Sequence, residues 1–381
     1  MILMLSVMQV SVVHCETPLS VSAKAAIVIE CSTGEVLFEK NSHSPLPMAS
    51  TTKIMTAICA IENYPVNFPV AVDDRAIGIE GSSIYLEKGE IMYMRDLLYG
   101  MMLKSGNDAA TAIACEVSGG VEKFAELMNR SAKKYGAKNT NFVNACGLYD
   151  DNHYTTASDL AKITAHALGN ETFAEIVATK EKRISGGSKG YDRVLKNHNR
   201  LLFSYDGCTG VKTGYTKKCG RCLVSSAERN GVTLVCVTLN APDDWNDHRA
   251  MLDYGFSKCR KTASVQEGEY ALTVEVEKGD VKEIPVYFGK NLEYVCIDGK
   301  ECRTEIKFET EKKVCAPLKN GDIVGRANLL LDGKTVDTAP VVCKKDVTEK
   351  AGKKKGLWAR IWGKLSLSQL TFIMLCATII V

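Results

Sequence analysis

Ser50-Thr51-Thr52-Lys53 sets a hydroxyl and an amine three residues apart. On a helix that spacing puts both side chains on one face, where the amine can take the hydroxyl's proton. The spacing alone carries little weight, because it recurs at Ser131-Ala132-Lys133-Lys134, which reads as a solvated amphipathic helix. Two tripeptides downstream change the balance. Ser105-Gly106-Asn107 and Lys212-Thr213-Gly214 each occur once, at separations that suit one folded domain. Together the three read as parts of one nucleophilic site, with Ser50 attacking and Lys53 as its base.

The three motifs resemble those of the penicillin-recognising serine hydrolases, in which S-x-x-K and K-T-G accompany S-D-N where this chain has Ser105-Gly106-Asn107. Ala25 to Glu35, Pro47-Met48-Ala49-Ser50, His153 to Leu160 and Gly210 to Thr216 extend the likeness. It is closest to the low-molecular-mass penicillin-binding proteins, the D-alanyl-D-alanine carboxypeptidases, and runs from Val21 to Val342. The resemblance implies an α+β fold: a β-lactamase/DD-peptidase-like catalytic domain with an antiparallel sheet and helices, then a small β-sandwich domain and a C-terminal membrane-anchoring helix. It also implies a serine-type carboxypeptidase that removes the terminal D-alanine from peptidoglycan stem peptides through a Ser50 acyl-enzyme, and that is acylated by penicillin and other β-lactam antibiotics.

The chemistry sets requirements on each residue. Lys53 works as base only with a neutral amine, which burial and the nearby Lys212 cation would favour. The strand of Lys212, Thr213 and Gly214 would lie along the cleft and pair with substrate backbone, Gly214 being bare so that the ligand can come close. Ser105 offers a hydroxyl to relay the proton toward the leaving amine. By resemblance Ser105 does so with Lys212, Asn107 holds Lys53 and the substrate's amide, and the backbone N–H of Tyr215 joins that of Ser50 in an oxyanion hole. Thr213, Ser105 and Lys212 would then receive the terminal carboxylate. Some relatives carry an Arg upstream of this strand for the same carboxylate; here His198 stands at about that place, with Arg200 beside it. The competing reading is a surface-loop histidine, since an ordinary His is mostly neutral near pH ~7.

The 381 residues, 45% hydrophobic and 24% charged, suffice for more than one globular domain. A net charge of +3 with dispersed basic residues gives no argument for nucleic acid as a partner. Neither metal-ligand spacing nor a phosphate loop is present in the sequence, so no metal or other cofactor is expected. Met1 to Val13 is apolar and too short to span a bilayer, which reads as part of a signal peptide over residues 1–22, although no Lys or Arg precedes it. His14 is too bulky for lipidation at Cys15. The fifteen cysteines cannot all pair with one another. Cys219 and Cys222 are expected as buried or half-buried thiols on a strand, since residues three apart face opposite sides there.

Ala25 to Cys31 and Val36 to Glu39 read as an opening hairpin. Helical stretches follow at Ser50 to Glu62, Arg95 to Lys104, Asp108 to Val117 and Thr156 to Leu168, and strands return at Gly210 to Thr216, Cys222 to Ala227 and Val232 to Asn240. A sheet fed from both ends with helices between is an α+β arrangement. The catalytic domain is placed at 23–262 and a β-sandwich at 263–345, where short β-branched runs alternate with Gly and charged turns. A basic linker and amphipathic segment (346–364) then leads to an apolar anchor (365–381), bordered by Trp358, Trp362, Arg360 and Lys364. The expected location is the outer face of the cytoplasmic membrane, with the C-terminus in the lipid bilayer. Two rivals differ in class. A class A β-lactamase would carry Glu-x-x-Leu-Asn, which this chain lacks; a catalytically idle scaffold would have no need of the intact triplet.

Overall fold

The computed structural model describes residues 19–350 apart from 187, 189, 301, 311 and 312. Most of the expected signal peptide, the amphipathic segment and the anchor lie outside the described residues. Among the described residues no helix is long and apolar enough to cross a membrane. Two compact units result, one formed by residues up to Thr262 with Val295–Glu301, the other by Ala263–Tyr294 and residues from Cys302 onward.

In the first unit the chain forms β1 (Ala25–Glu30), β2 (Val36–Lys40), α1 (Lys53–Asn63), β3 (Pro69–Ala71), β4 (Ile91–Tyr93), α2 (Met94–Leu103), α3 (Asn107–Ser118), α4 (Val121–Lys134), α5 (Ala157–Leu168) and α6 (Glu171–Ala178). It continues through β5 (Glu181–Ile184), β6 (Arg193–Lys196), α7 (Leu201–Ser204), β7 (Cys208–Thr216), β8 (Gly220–Arg229), β9 (Val232–Leu239) and α8 (Asp244–Lys258). The main sheet has the order β2-β1-β9-β8-β7 and is antiparallel throughout. The opening hairpin thus meets the closing strands, as the sequence pattern indicates.

Strand periodicity explains the two layers of helix. Ala25, Ile27 and Ile29 of β1, with Val235, Val237 and Leu239 of β9, pack into the core shared with α1, α3 and α5. Their neighbours Ala26, Val28, Leu234 and Cys236 pack against Met251 and Leu252 of α8. Both faces of the central strands are therefore covered, which is why β1 is apolar almost throughout. Thr156 caps α5 by accepting the Asp159 N–H at 3.0 Å, with the Asp159 carboxylate in the first turn. The second S-x-x-K falls on α4, where Ser131 is buried and Lys134 exposed; the helix is amphipathic as expected, but its serine is part of the packed face rather than solvated.

Two boundaries differ from the sequence reading. Val21 is buried and Ser22 Oγ donates to Asp247 Oδ2 at 2.7 Å, so both belong to the fold of the first unit rather than to a leading segment. Val295 also joins this unit, buried in one cluster with Val21, Ala23 and Ala26.

The second part of the chain carries β10 (Cys259–Val265), β11 (Tyr270–Glu277), β12 (Glu283–Phe288), β13 (Leu292–Ile297), β14 (Thr304–Thr310), β15 (Lys313–Cys315), β16 (Ile323–Leu331) and β17 (Lys334–Cys343). Val274 and Val276 of β11 and Ile284, Val286 and Phe288 of β12 are buried at alternate positions. The hydrogen bonds join six of these strands into one sheet, ordered β14-β16-β17-β12-β11-β15, and pair β10 with β13 in a second. The long β16–β17 hairpin links both sides of this sheet, a connection that alternation alone does not reveal.

Candidate active site

Ser50 sits in a 3₁₀ turn (Ala49–Thr52) that leads directly into α1. The turn is held by close approach: a Cβ on Gly147, whose φ is +87°, would meet the Ala49 carbonyl oxygen at 1.9 Å. Lys53 is fully buried, and its Nζ lies 3.0 Å from Ser50 Oγ, 2.7 Å from Asn107 Oδ1 and 2.6 Å from the Cys146 carbonyl oxygen. Burial pushes this amine down to about 8, partly offset by Cys146 and Asp108. A neutral amine has two N–H donors and one lone pair. With Asn107 and the Cys146 carbonyl taking the donors, the lone pair is left facing the Ser50 hydroxyl, the arrangement a general base requires.

Asn107 is tied on three sides. Its amide nitrogen donates to the Glu80 carbonyl at 2.6 Å and its backbone N–H to that of Ser82 at 2.7 Å, while Oδ1 accepts from Lys53. Next to it the buried Asp108 carboxylate accepts from the N–H groups of Ile84 and Leu86, each at 3.1 Å, and from Ser83 Oγ at 2.5 Å. The Ser82–Leu86 loop is thereby bound to the start of α3. Ser105 lies between α2 and α3 with φ +62°, a conformation rare outside glycine.

β7 is the sheet's edge strand and brings Lys212, Thr213, Gly214 and Tyr215 alongside. Lys212 is fully buried and donates to the Thr213 carbonyl at 2.9 Å. Burial first, then the Lys53 charge, hold it well below the usual lysine range. A Cβ on Gly214 would stand 3.0 Å from the Ser50 backbone nitrogen and 3.1 Å from that of Thr51. The bare position is thus required first by the nucleophile's own turn, where the sequence reading had invoked the ligand. Ser50, Ser105, Thr213, Gly214, Tyr215 and His198 all line one cavity of about 1000 Å³.

A family model described as D-alanyl-D-alanine carboxypeptidase matches residues 11–243. The chain belongs to this carboxypeptidase family. A second model, described as penicillin-binding protein 5, C-terminal domain, matches residues 260–349. The chain is 34% identical over 342 residues to the D-alanyl-D-alanine carboxypeptidase DacF of Bacillus subtilis, covering 87% of each. It is 31% identical to DacC of Escherichia coli, covering 90% of this chain and 87% of that one. Among solved structures it resembles penicillin binding protein 5 from Haemophilus influenzae, with a TM-score of 0.62 and 28% identity, covering 87% of this chain and 99% of the other.

Around the carboxypeptidase site, neighbouring residues act as braces. His153 is buried; Val143 N–H donates to its Nδ1 at 3.1 Å, which leaves Nε2 as the donor to Thr52 Oγ1 at 2.7 Å. Burial lowers its pKa to about 4, so it stays neutral and fixes the turn after Ser50. His198 is an exposed loop residue, as the competing reading has it, and it also lines the cavity; desolvation, then Lys212 and Lys104, lower its pKa. Among the described residues the cysteines are not joined in disulfides. Cys219 lies in the turn before β8 rather than on the strand, and Cys222 lies within β8; both are buried.

The Cys146 carbonyl, Gly147 and Asp108 were missed by sequence reasoning. A backbone acceptor leaves no mark in residue type, and Asp108 resembles any acid in a first helical turn. Among the described residues no group of three metal-ligating side chains comes together.

Proposed function

We propose that this chain is a serine-type carboxypeptidase that removes the terminal D-alanine from peptidoglycan stem peptides through an acyl-enzyme on Ser50. The observation that carries it is Lys53 Nζ, buried and shared among Ser50 Oγ, Asn107 Oδ1 and the Cys146 carbonyl. Ser50 Oγ attacks the carbonyl carbon of the scissile amide as Lys53 takes its proton. The backbone N–H groups of Ser50 and Tyr215 serve the oxyanion. Ser105 and Lys212 pass a proton to the departing amine, the C–N bond breaks, and D-alanine leaves. Water then attacks the ester, returning the proton to Ser50. Thr213, Ser105 and Lys212 hold the terminal carboxylate, with His198 as a neutral neighbour, and a β-lactam enters the same cleft and stops at the ester.

The proposal extends to place. The leading apolar segment exports the chain, and residues 356–381 attach it to the outer face of the cytoplasmic membrane through two tryptophans and an apolar tail. The second unit then acts as a spacer. Incubating the soluble chain with a peptide ending in D-Ala-D-Ala should release D-alanine, and a fluorescent penicillin should label Ser50. No D-alanine, or an adduct mapped to Ser131 or Cys219, would overturn the reading.

A further inference from the structure

The cavity above Ser50 continues past Thr213 and Tyr215 to a wall formed by Arg200, Arg221, Asp244, Trp245 and Arg249. Arg221 is neutralised there, its Nε and Nη2 donating to Asp244 Oδ1 at 2.9 and 2.7 Å. The other cations are not. Among the described residues neither Arg200, Arg249 nor the cavity-lining Lys196 makes an ion pair. Among the described residues Arg249 donates to neutral oxygens, Ser204 Oγ at 2.9 Å and Asn246 Oδ1 at 3.3 Å. Arg200 and Arg221 lie 6.0 and 5.7 Å from the centre of the Trp245 ring.

A second observation falls at the same place. Among the described residues two buried side-chain nitrogens find no acceptor, Trp245 Nε1 and Asn199 Nδ2. The first belongs to this wall, and the second to the residue between His198 and Arg200. Buried donors are nearly always paired, because desolvation without a partner is costly. Both of these nitrogens are closed off from the cavity, whereas Arg200, Arg249 and Lys196 line it and are open to an oxygen-rich anion supplied from outside. A cavity of about 1000 Å³ is at the top of the ~300–1,000 Å³ range that holds drug-sized ligands, far more than a terminal alanine fills.

We propose that this wall is a subsite for a second carboxylate of the peptide, separate from the terminal one, so that the enzyme selects peptides carrying a free acid next to the D-alanines. The inference rests on the carboxypeptidase reading above. A guanidinium presents its donors in a planar fork that matches a carboxylate. Arg249 and Arg200 are the charge partners, and Trp245 sets the plane between the arginines.

The test uses the full chain with Ser50→Ala, so that binding is read without turnover. Acetyl-L-glutamyl-D-alanyl-D-alanine and its glutaminyl counterpart differ only by a carboxylate against its amide, and calorimetry gives both affinities. The acid should bind about tenfold more tightly or better, ~1.4 kcal/mol or more, as one charge-assisted hydrogen bond can supply. Adding Arg249→Gln should abolish the preference. Arg200→Gln should reduce it; Arg130→Gln, on the exposed face of α4, should leave it intact. Circular dichroism checks each fold. Equal affinities, or a preference that survives both Arg249→Gln and Arg200→Gln, would overturn the subsite. Equal affinities with D-alanine released normally by the unsubstituted chain sink the subsite alone, whereas a clear preference with no D-alanine released sinks the carboxypeptidase reading alone.

Discussion

Lys53 shows how one residue converts burial into reactivity. Its amine is fully buried, with three oxygen neighbours and a pKa lowered from 10.5 to about 8. The neutral form is the reactive one, so acylation should rise with pH through about 8 and level off above it. Stopped-flow penicillin acylation between acid and alkaline pH checks this, and a flat profile would exclude Lys53 as the proposed base. Lys53→Ala should cost ~10²–10⁴-fold in the acylation rate at its plateau. Asp108→Asn tests the electrostatics separately. Asp108 raises the Lys53 pKa, so removing its charge should move the acylation midpoint to lower pH, and a midpoint moved upward would contradict the assignment.

At the scale of elements, the site is made by a strand meeting a turn. β7 can lie against the Ser50 turn only because Gly214 has no side chain, the nearest backbone nitrogen being 3.0 Å from where a Cβ would stand. Gly214→Ala should force the strand and the turn apart by a few tenths of an ångström. Displacements of ~1 Å can cost ~10²-fold in rate, so roughly a tenfold loss of acylation is expected, with the melting temperature little changed because β7 is an edge strand. Unaltered acylation kinetics in this variant would show that the strand position is not critical. The Ser82–Leu86 loop behaves as a second such element, secured from one side by Asp108 and from the other by Arg193, whose Nε donates to the Ile84 carbonyl at 2.8 Å and whose Nη1 reaches Glu90 at 2.7 Å.

For the whole molecule, attachment and catalysis should separate. The proposed catalytic residues all precede residue 216, so deleting Gly356 to Val381 should yield a soluble chain that still labels with penicillin, while the full chain stays in the membrane pellet at high salt, since apolar burial is not screened. A truncated form that still pellets would rule out the C-terminal anchor. Cutting instead after Thr262 removes Val295, which is buried beside Val21, Ala23 and Ala26. Burying a valine contributes ~1.5–3 kcal/mol, so that fragment should melt below the chain ending at 350, and equal melting curves would show the segment to be dispensable. The opening hairpin, α2, α3 and α5, the three closing strands and the order of Ser50, Lys53, Ser105, Asn107 and Lys212 were legible in residue types alone, because side-chain period and motif spacing are local properties. The Cys146 carbonyl under Lys53, the approach of Gly214 to the Ser50 nitrogen, the return of Val295 to the first unit and the joining of six strands into one sheet were decided only by the tertiary structure. Each depends on atoms brought together across long stretches of chain, and on backbone groups that every residue carries alike.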